Sequence, residues 1–98
     1  MTAELRIYKQ PEWIYTESCG VMRMDAYVVG KVIRQLREKR GKSQELLSGL
    51  AGIGRTHLSA IERGTRRPTL ETFALIAWAL EMKPSALMAE IEQELSKE

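Results

Sequence analysis

The 98-residue sequence predicts an all-α fold of short helices, and three observations support this prediction. Apolar residues recur at intervals of three and four from residue 29 to residue 95, which is the spacing of one helical face. Asp, Ser and Thr residues precede several of these apolar runs, as is typical of helix N-caps, and glycines follow them, as is typical of helix C-termini. We therefore expect one helical domain, residues 25–98, behind an N-terminal arm, residues 1–24.

The arm is the least regular part of the sequence. Leu5 and Ile7 alternate with polar residues, which favours a short strand or an extended segment that Pro11 interrupts. The apolar cluster at residues 13–15 is expected to pack onto the helical domain or onto a second subunit, and the alternatives are contact with DNA or another protein, or disorder. Cys19 is the only cysteine, so we expect no internal disulfide and no thiolate metal cluster.

The first helix is predicted over residues 26–40, with Asp25 as its N-cap and Gly41 just after its last residue. Four apolar residues at helical spacing define its inward face: Val29, Val32, Ile33 and Leu36. The helix also carries several Lys and Arg residues, which we interpret mainly as a solvated face.

Residues 43–64 have the features of two short helices joined by a tight turn. Ser43 can cap the first of them, which should end near Ala51, and Gly52 suits a turn that requires a positive φ. Gly54 is in place to cap the second. Two apolar residues form the inward face of this second helix: Leu58 and Ile61. The arrangement is a helix-turn-helix.

The opposite face of the second helix is polar and uncrowded, because successive residues turn by about 100° around a helix axis. A surface of this kind can contact base edges in the major groove of DNA. Arg55 is the leading candidate, since a guanidinium can donate two hydrogen bonds to O6 and N7 of guanine. The base-contacting candidates are Arg55, Thr56, Ser59 and Ala60, and a solvated helix face is the alternative for each.

A short basic loop follows the second helix. Gly64 should end the helix, and residues 65–68 then read Thr-Arg-Arg-Pro. A basic loop beside a base-contacting helix is well placed to bind the phosphate backbone. The phosphate-contacting candidates in this region are Arg63, Arg66 and Arg67.

Two further helices complete the predicted domain. Thr69 is expected to cap the fourth, and Pro84 suits the first turn of the fifth. The fourth helix is expected to turn five residues inward: Leu70, Phe73, Ile76, Ala77 and Leu80.

These two helices contain more apolar side chains than one small core is expected to bury. An isolated tryptophan on the surface would be unusual, so we expect Trp78 to be covered by the arm or by a second subunit. The surplus predicts a two-fold homodimer, with a monomer as the alternative. The predicted dimer interface comprises Leu87, Met88, Ile91, Leu95 and Trp78.

Charge is distributed unevenly along the chain. Residues 1–28 have a net charge of −1, residues 29–67 of +7 and residues 68–98 of −4, for a total of +2. Positive charge is thus concentrated in the part of the chain that contains the helix-turn-helix, which is typical of a surface that binds a polyanion.

The chain resembles the phage repressor and Cro family of DNA-binding domains, the XRE family, over about residues 29–91. The resemblance rests on Ile33, Leu36-Arg37, Gly41-Lys42-Ser43-Gln44-Glu45, Ala51-Gly52-Ile53, Leu58-Ser59, Ile61-Glu62-Arg63-Gly64, Pro68 and Ile76-Ala77-Trp78-Ala79-Leu80. It implies a five-helix, repressor-like bundle in which the third helix contacts the bases. It also implies a phosphate contact for Gln44 and a buried ion pair between Arg37 and Glu62.

The expected function is sequence-specific binding of double-stranded DNA by a transcriptional regulator, as a repressor at an operator. The expected location is the cytoplasm, for a bacterial or phage protein, and the nucleoid when DNA is bound. The alternative is an antitoxin-type protein that neutralises a partner protein, contacted through the arm, and regulates its own promoter. An enzyme is not expected, because one His, one Cys and no paired carboxylates leave no catalytic residues to assign. No cofactor, metal ion or membrane span is expected.

Overall fold

The computed structural model describes residues 24–97, which form five α-helices and contain no strand. In chain order the helices are α1 (Ala26–Lys39), α2 (Gln44–Ala51), α3 (Arg55–Arg63), α4 (Leu70–Ala79) and α5 (Pro84–Ser96). The all-α prediction is therefore confirmed for this part of the chain. The strand predicted around Leu5 and Ile7 and the apolar cluster at residues 13–15 lie outside the described residues. None of the five helices is long and apolar enough to cross a membrane.

Side-chain caps and glycines set the helix boundaries where the sequence predicted them. The side chains of Asp25, Ser43 and Thr69 each accept a hydrogen bond from a backbone N–H in the first turn of the helix that follows. Gly52 ends α2 with a φ of 73°, and Gly64 ends α3 with a φ of 81°. Both glycines adopt a left-handed conformation that is costly for a residue with a Cβ atom. The connection between α2 and α3 is consequently short and sharply turned.

One hydrophobic core joins the five helices. α1 packs against α3 and α5, α2 packs against α3 and α4, and α4 packs against α5. Because interiors are close-packed, α3 cannot shift without disturbing the side chains that surround it. The most deeply buried apolar residues are Val28, Ile33, Leu47, Leu58, Ile61, Ile76, Ala77, Leu80, Leu87 and Ile91.

Three predictions about apolar residues are wrong. Leu87 and Ile91, predicted at a dimer interface, are 0% exposed within a single chain. They fill the core because α5 packs against both α1 and α4, so neither side chain has surface left for a second subunit. Leu70, predicted to face inward, is exposed, since it is the first residue of α4 and precedes the buried face that begins at Phe73.

The other three residues of the predicted dimer interface keep some exposed surface. Met88 and Leu95 are half-buried at the edge of the core, and Trp78 is 60% exposed. A homodimer through these three side chains stays a prediction.

α1 and α3 cross at Gly30, a residue that no sequence motif singled out. A Cβ atom at Gly30 would lie 2.1 Å from the carbonyl oxygen of Ile61 and 2.7 Å from that of Glu62. Such distances are far shorter than any non-bonded contact, so only a residue without a side chain allows the two helices to approach this closely. Gly30 therefore sets the position of α3 on α1.

Candidate DNA-binding surface

The C-terminal half of α3 lies directly on α1, and its inward side chains reach the core. Leu58 and Ile61 are 0% exposed. Gly64, the residue that ends α3, contacts the start of α1 so closely that a Cβ atom there would lie 2.7 Å from the Cα atom of Tyr27. Together with the crossing at Gly30, these contacts hold α3 in one orientation, with its opposite face toward solvent.

A buried ion pair also joins α1 to α3. Nε of Arg37 donates to Oε2 of Glu62 at 2.7 Å, and Nη2 donates to Oε1 at 3.0 Å. The Arg37 and Glu62 side chains are only 11% and 2% exposed, so the ion pair predicted from the resemblance is present and is buried. The hydrogen bonds to Glu62 raise the pKa of the Arg37 guanidinium above its ordinary value, an effect that burial opposes. The two parallel hydrogen bonds fix the register between the helices.

Gln44, the first residue of α2, extends this network. Its side-chain nitrogen donates to Oε1 of Glu62 at 2.9 Å, and Nη1 of Arg37 donates to the carbonyl oxygen of Lys42 at 2.8 Å. The network thus ties the start of α2 to the α1–α3 pair. A phosphate contact by Gln44 stays a prediction, and it would use the second amide hydrogen or the backbone N–H groups at the start of α2.

The predicted base-contacting residues lie in the first two turns of α3. Arg55 and Thr56 are exposed, whereas Ser59 and Ala60 are half-buried. The hydroxyl oxygen of Ser59 accepts a hydrogen bond from Nη1 of Arg63 at 2.6 Å. The most accessible donors on this face are therefore at the N-terminal end of α3, where a recognition helix enters the major groove most deeply.

Arg55 forms an ion pair across the turn between α2 and α3. Its Nε atom lies 3.1 Å from Oε2 of Glu45, and the two side chains are 57% and 70% exposed. Glu45 is the second residue of α2 and Arg55 is the first residue of α3. Because both side chains are well solvated, the pair contributes little to the stability of the fold.

The predicted phosphate-contacting arginines lie at the C-terminal end of α3 and in the loop after it. Arg63, Arg66 and Arg67 are exposed. Nη1 of Arg67 donates a hydrogen bond to the carbonyl oxygen of Met24, which attaches the basic loop to the residue before the N-cap of α1. The guanidinium of Arg67 is thereby held near the start of α1, at one edge of the basic surface.

Within residues 24–97, no group of three His, Cys, Asp or Glu side chains is positioned to hold a metal ion. His57, on α3, is half-buried. The chemistry that the described surface offers is donation of hydrogen bonds from an exposed, positively charged face.

Two residues with a part in this surface were missed from the sequence. Gly30 could have been noticed, because a glycine inside a strongly periodic apolar helix often marks a close backbone contact. The contact of Glu45 with Arg55 was not expected either. Spacing rules within one helix give no signal for a pair that spans two helices.

The fold and the surface together define a helix-turn-helix protein of the DNA-binding type. The family described as Helix-turn-helix matches residues 33–87, more than half of the chain, and the protein belongs to this family. The resemblance that the sequence motifs predicted is therefore confirmed.

Several relatives are similar to the chain over most of their own length. Control protein C.BamHI of Bacillus amyloliquefaciens is 40% identical over 60 residues, which are 60% of this chain and 74% of that protein. The restriction-modification controller protein C.AhdI from Aeromonas hydrophila is 35% identical with a TM-score of 0.63, over 66% of this chain and 98% of that one. The controller protein C.Esp1396I, whose structure is a tetramer in complex with its natural 35-base-pair operator, is 30% identical with a TM-score of 0.67, over 71% and 92% of the two chains.

Proposed function

We propose that this protein is a transcriptional regulator that binds double-stranded DNA sequence-specifically and represses transcription by occupying an operator as a homodimer. The main observation behind the proposal is the exposed N-terminal turn of α3, where Arg55 and Thr56 face solvent. Gly30 and the Arg37–Glu62 pair fix this helix in place. A rigid helix with an exposed arginine fork is what direct recognition of a guanine requires.

Electrostatics supports the same function. Residues 29–67 carry a net charge of +7, whereas residues 68–98 carry −4, so the half of the chain that contains α3 attracts a polyanion. Arg63, Arg66 and Arg67 are exposed at the C-terminal end of α3 and in the loop after it, where they can neutralise phosphates near the contacted bases. Contacts of this kind supply affinity and orientation, and the α3 side chains supply specificity.

The relatives support the operator part of the proposal. Two of those described above are restriction-modification controller proteins, and one was solved on its operator. A protein that covers an operator as a symmetric dimer would contact two half-sites about one helical turn, ~34 Å, apart. Trp78, Met88 and Leu95 are the remaining candidates for the dimer interface, since they keep exposed apolar surface.

The antitoxin-type alternative depends on residues 1–24, nearly all of which lie outside the described part of the chain, and no contact among the described residues favours it.

We infer a DNA-binding role without catalysis, in the cytoplasm of a bacterial cell.

Selection of binding sites from a pool of random duplexes tests the proposal. We expect an enriched sequence with two-fold symmetry and a preference over a scrambled duplex of about 10³ or more at moderate salt. Sedimentation of the protein with the selected duplex should give two chains per site. Failure to enrich any sequence, or equal affinity for selected and scrambled duplexes, would refute the proposal.

A further inference from the structure

Glu45 is a carboxylate in a place where a DNA-binding surface should avoid one. Residues 42–67, all of which the structure describes, contain only two acidic residues, Glu45 and Glu62. Glu62 is buried and neutralised by Arg37, so Glu45 is the one exposed carboxylate of this segment. A negative charge close to phosphates weakens binding to every DNA sequence alike. An exposed carboxylate here therefore calls for a specific role.

The partner of Glu45 is the leading base-contacting residue. Oε2 of Glu45 lies 3.1 Å from Nε of Arg55, and the two residues occupy the first turns of α2 and α3. The start of α2 favours a carboxylate, whereas the start of α3 disfavours a guanidinium, because the N-terminal end of a helix is electropositive. Glu45 thus places a negative charge beside a guanidinium that stands at an electropositive helix end.

Recognition of a base depends on which atoms of the Arg55 guanidinium are left free by Glu45. The nearest contact of the carboxylate is with Nε, and no hydrogen bond to Glu45 engages the terminal nitrogens, Nη1 and Nη2. These two nitrogens can donate in parallel to O6 and N7 of guanine. A free arginine side chain samples many rotamers, and a contact that restricts it before DNA binds reduces the entropy lost on binding.

We propose that Glu45 is a specificity-determining residue, which positions Arg55 for end-on recognition of a guanine. This inference rests on the proposed function, because it requires Arg55 to contact a base. Glu45 itself contacts no DNA in this role. It lowers affinity for DNA in general and increases the preference for one base pair.

Two other roles for Glu45 predict different behaviour. If the carboxylate only repelled phosphates, its removal would raise affinity for all duplexes equally and leave the preference for guanine unchanged. If the carboxylate held Arg55 away from DNA, its removal would increase that preference. If Glu45 positions Arg55, removing the carboxylate should decrease the preference for guanine, while affinity for random DNA stays unchanged or rises. Neither of the other two roles predicts this combination.

The experiment compares Glu45→Ala with Glu71→Ala. Glu71 is the matched control because it is also the second residue of its helix, α4, is exposed, and has no ion-pair partner among the described residues. Affinity is measured by fluorescence anisotropy for the selected duplex, for the same duplex with each base pair replaced in turn, and for a scrambled duplex. Thermal unfolding confirms that both variants are folded.

We expect Glu45→Ala to reduce discrimination by about threefold to tenfold, part of what a bidentate arginine–guanine contact provides, and only at the base pair that Arg55→Ala identifies. Glu71→Ala should leave discrimination unchanged. In an Arg55→Ala background, the Glu45 substitution should have no further effect on discrimination. An unchanged or increased preference in the Glu45→Ala protein, or a loss that persists without Arg55, would overturn the inference.

Failure of this inference differs from failure of the proposed function. If the wild-type protein prefers a selected duplex and Arg55→Ala loses that preference at one base pair, the proposed function stands, whatever Glu45→Ala does. If the wild-type protein has no preference at all, the proposed function fails before the Glu45 variant is measured.

Discussion

Replacing Arg37 with methionine tests what holds α3 in place. The substitution keeps a long, unbranched side chain but removes both hydrogen bonds to Glu62 and the one to the carbonyl oxygen of Lys42. Glu62 then stays buried with only the amide of Gln44 as a donor. A carboxylate that is 2% exposed has little access to water that could replace the lost guanidinium.

The size of the effect follows from this burial. Removing one partner of a buried ion pair typically costs about 3–5 kcal/mol, because the other charge is left uncompensated. A domain of this size is stable by roughly 5–15 kcal/mol, so the variant should lose a large fraction of its free energy of unfolding. The midpoint of thermal unfolding should fall by about 12 °C or more.

Arg34→Met is a matched control on the same helix. Arg34 pairs with Glu38 at 3.2 Å, but the two side chains are 62% and 54% exposed. An exposed pair of this spacing contributes about 0.5 kcal/mol or less. Urea unfolding of both variants, with the slope m compared to that of the wild-type protein, gives the two free-energy differences directly.

Arg37→Lys provides an intermediate case if the methionine variant is too unstable to measure. It keeps the charge but not the planar fork, so it should be destabilised less than Arg37→Met and more than Arg34→Met. If Arg37→Met cost no more free energy than Arg34→Met, the buried pair would not be what fixes α3 on α1, and the reasoning would be refuted.

Three further predictions concern helix packing, DNA affinity and pH. Gly30→Ala should destabilise the protein by about 1–3 kcal/mol, because the new Cβ atom meets the backbone of α3. Gly49→Ala, which has open space around it, should instead stabilise the protein by up to about 1 kcal/mol. Urea unfolding measures both variants, and equal effects would contradict the close approach of α1 and α3 at Gly30. Arg66→Ala should weaken binding to selected and scrambled duplexes alike and reduce the salt slope of binding by about 1; a change confined to one base pair would contradict a phosphate contact. A hydrogen bond from Lys31 lowers the pKa of Glu94 below its ordinary value, so this carboxylate adds stability at pH values above the ordinary pKa of a glutamate and loses it as the pH falls through its lower pKa in the folded protein. In urea unfolding, Glu94→Gln should therefore be less stable than the wild-type protein at neutral pH and equally stable in acid. A loss of stability that persists in acid would contradict this pKa shift.

The helices could be predicted from the sequence because their ends are set by local chemistry. Asp25, Ser43 and Thr69 cap the first turns of the helices that follow them, and Gly52 adopts the left-handed conformation that ends α2. Each of these interactions involves residues no more than a few positions apart. Periodicity and capping therefore locate such elements without knowledge of how the helices pack.

The contacts between helices were only partly predictable. The pairing of Arg37 with Glu62 could be expected from a family resemblance, but the crossing at Gly30 depends on which backbone lies opposite it. The core also takes up more of α5 than the sequence suggested, since Leu87 and Ile91 are completely buried within one chain. How much apolar surface a small bundle can bury depends on the angles between its helices, and hydrophobic spacing alone does not give those angles.

The measurement that tests the central claim most directly is a scan of single base-pair substitutions across the selected duplex, with the wild-type protein and Arg55→Ala measured side by side. If α3 recognises DNA through Arg55, the wild-type protein should lose about 1–3 kcal/mol of binding free energy when one base pair of each half-site is changed. Arg55→Ala should bind all substitutions at that base pair equally while keeping the other preferences. If the two proteins gave the same profile across the whole duplex, α3 would not recognise DNA through Arg55.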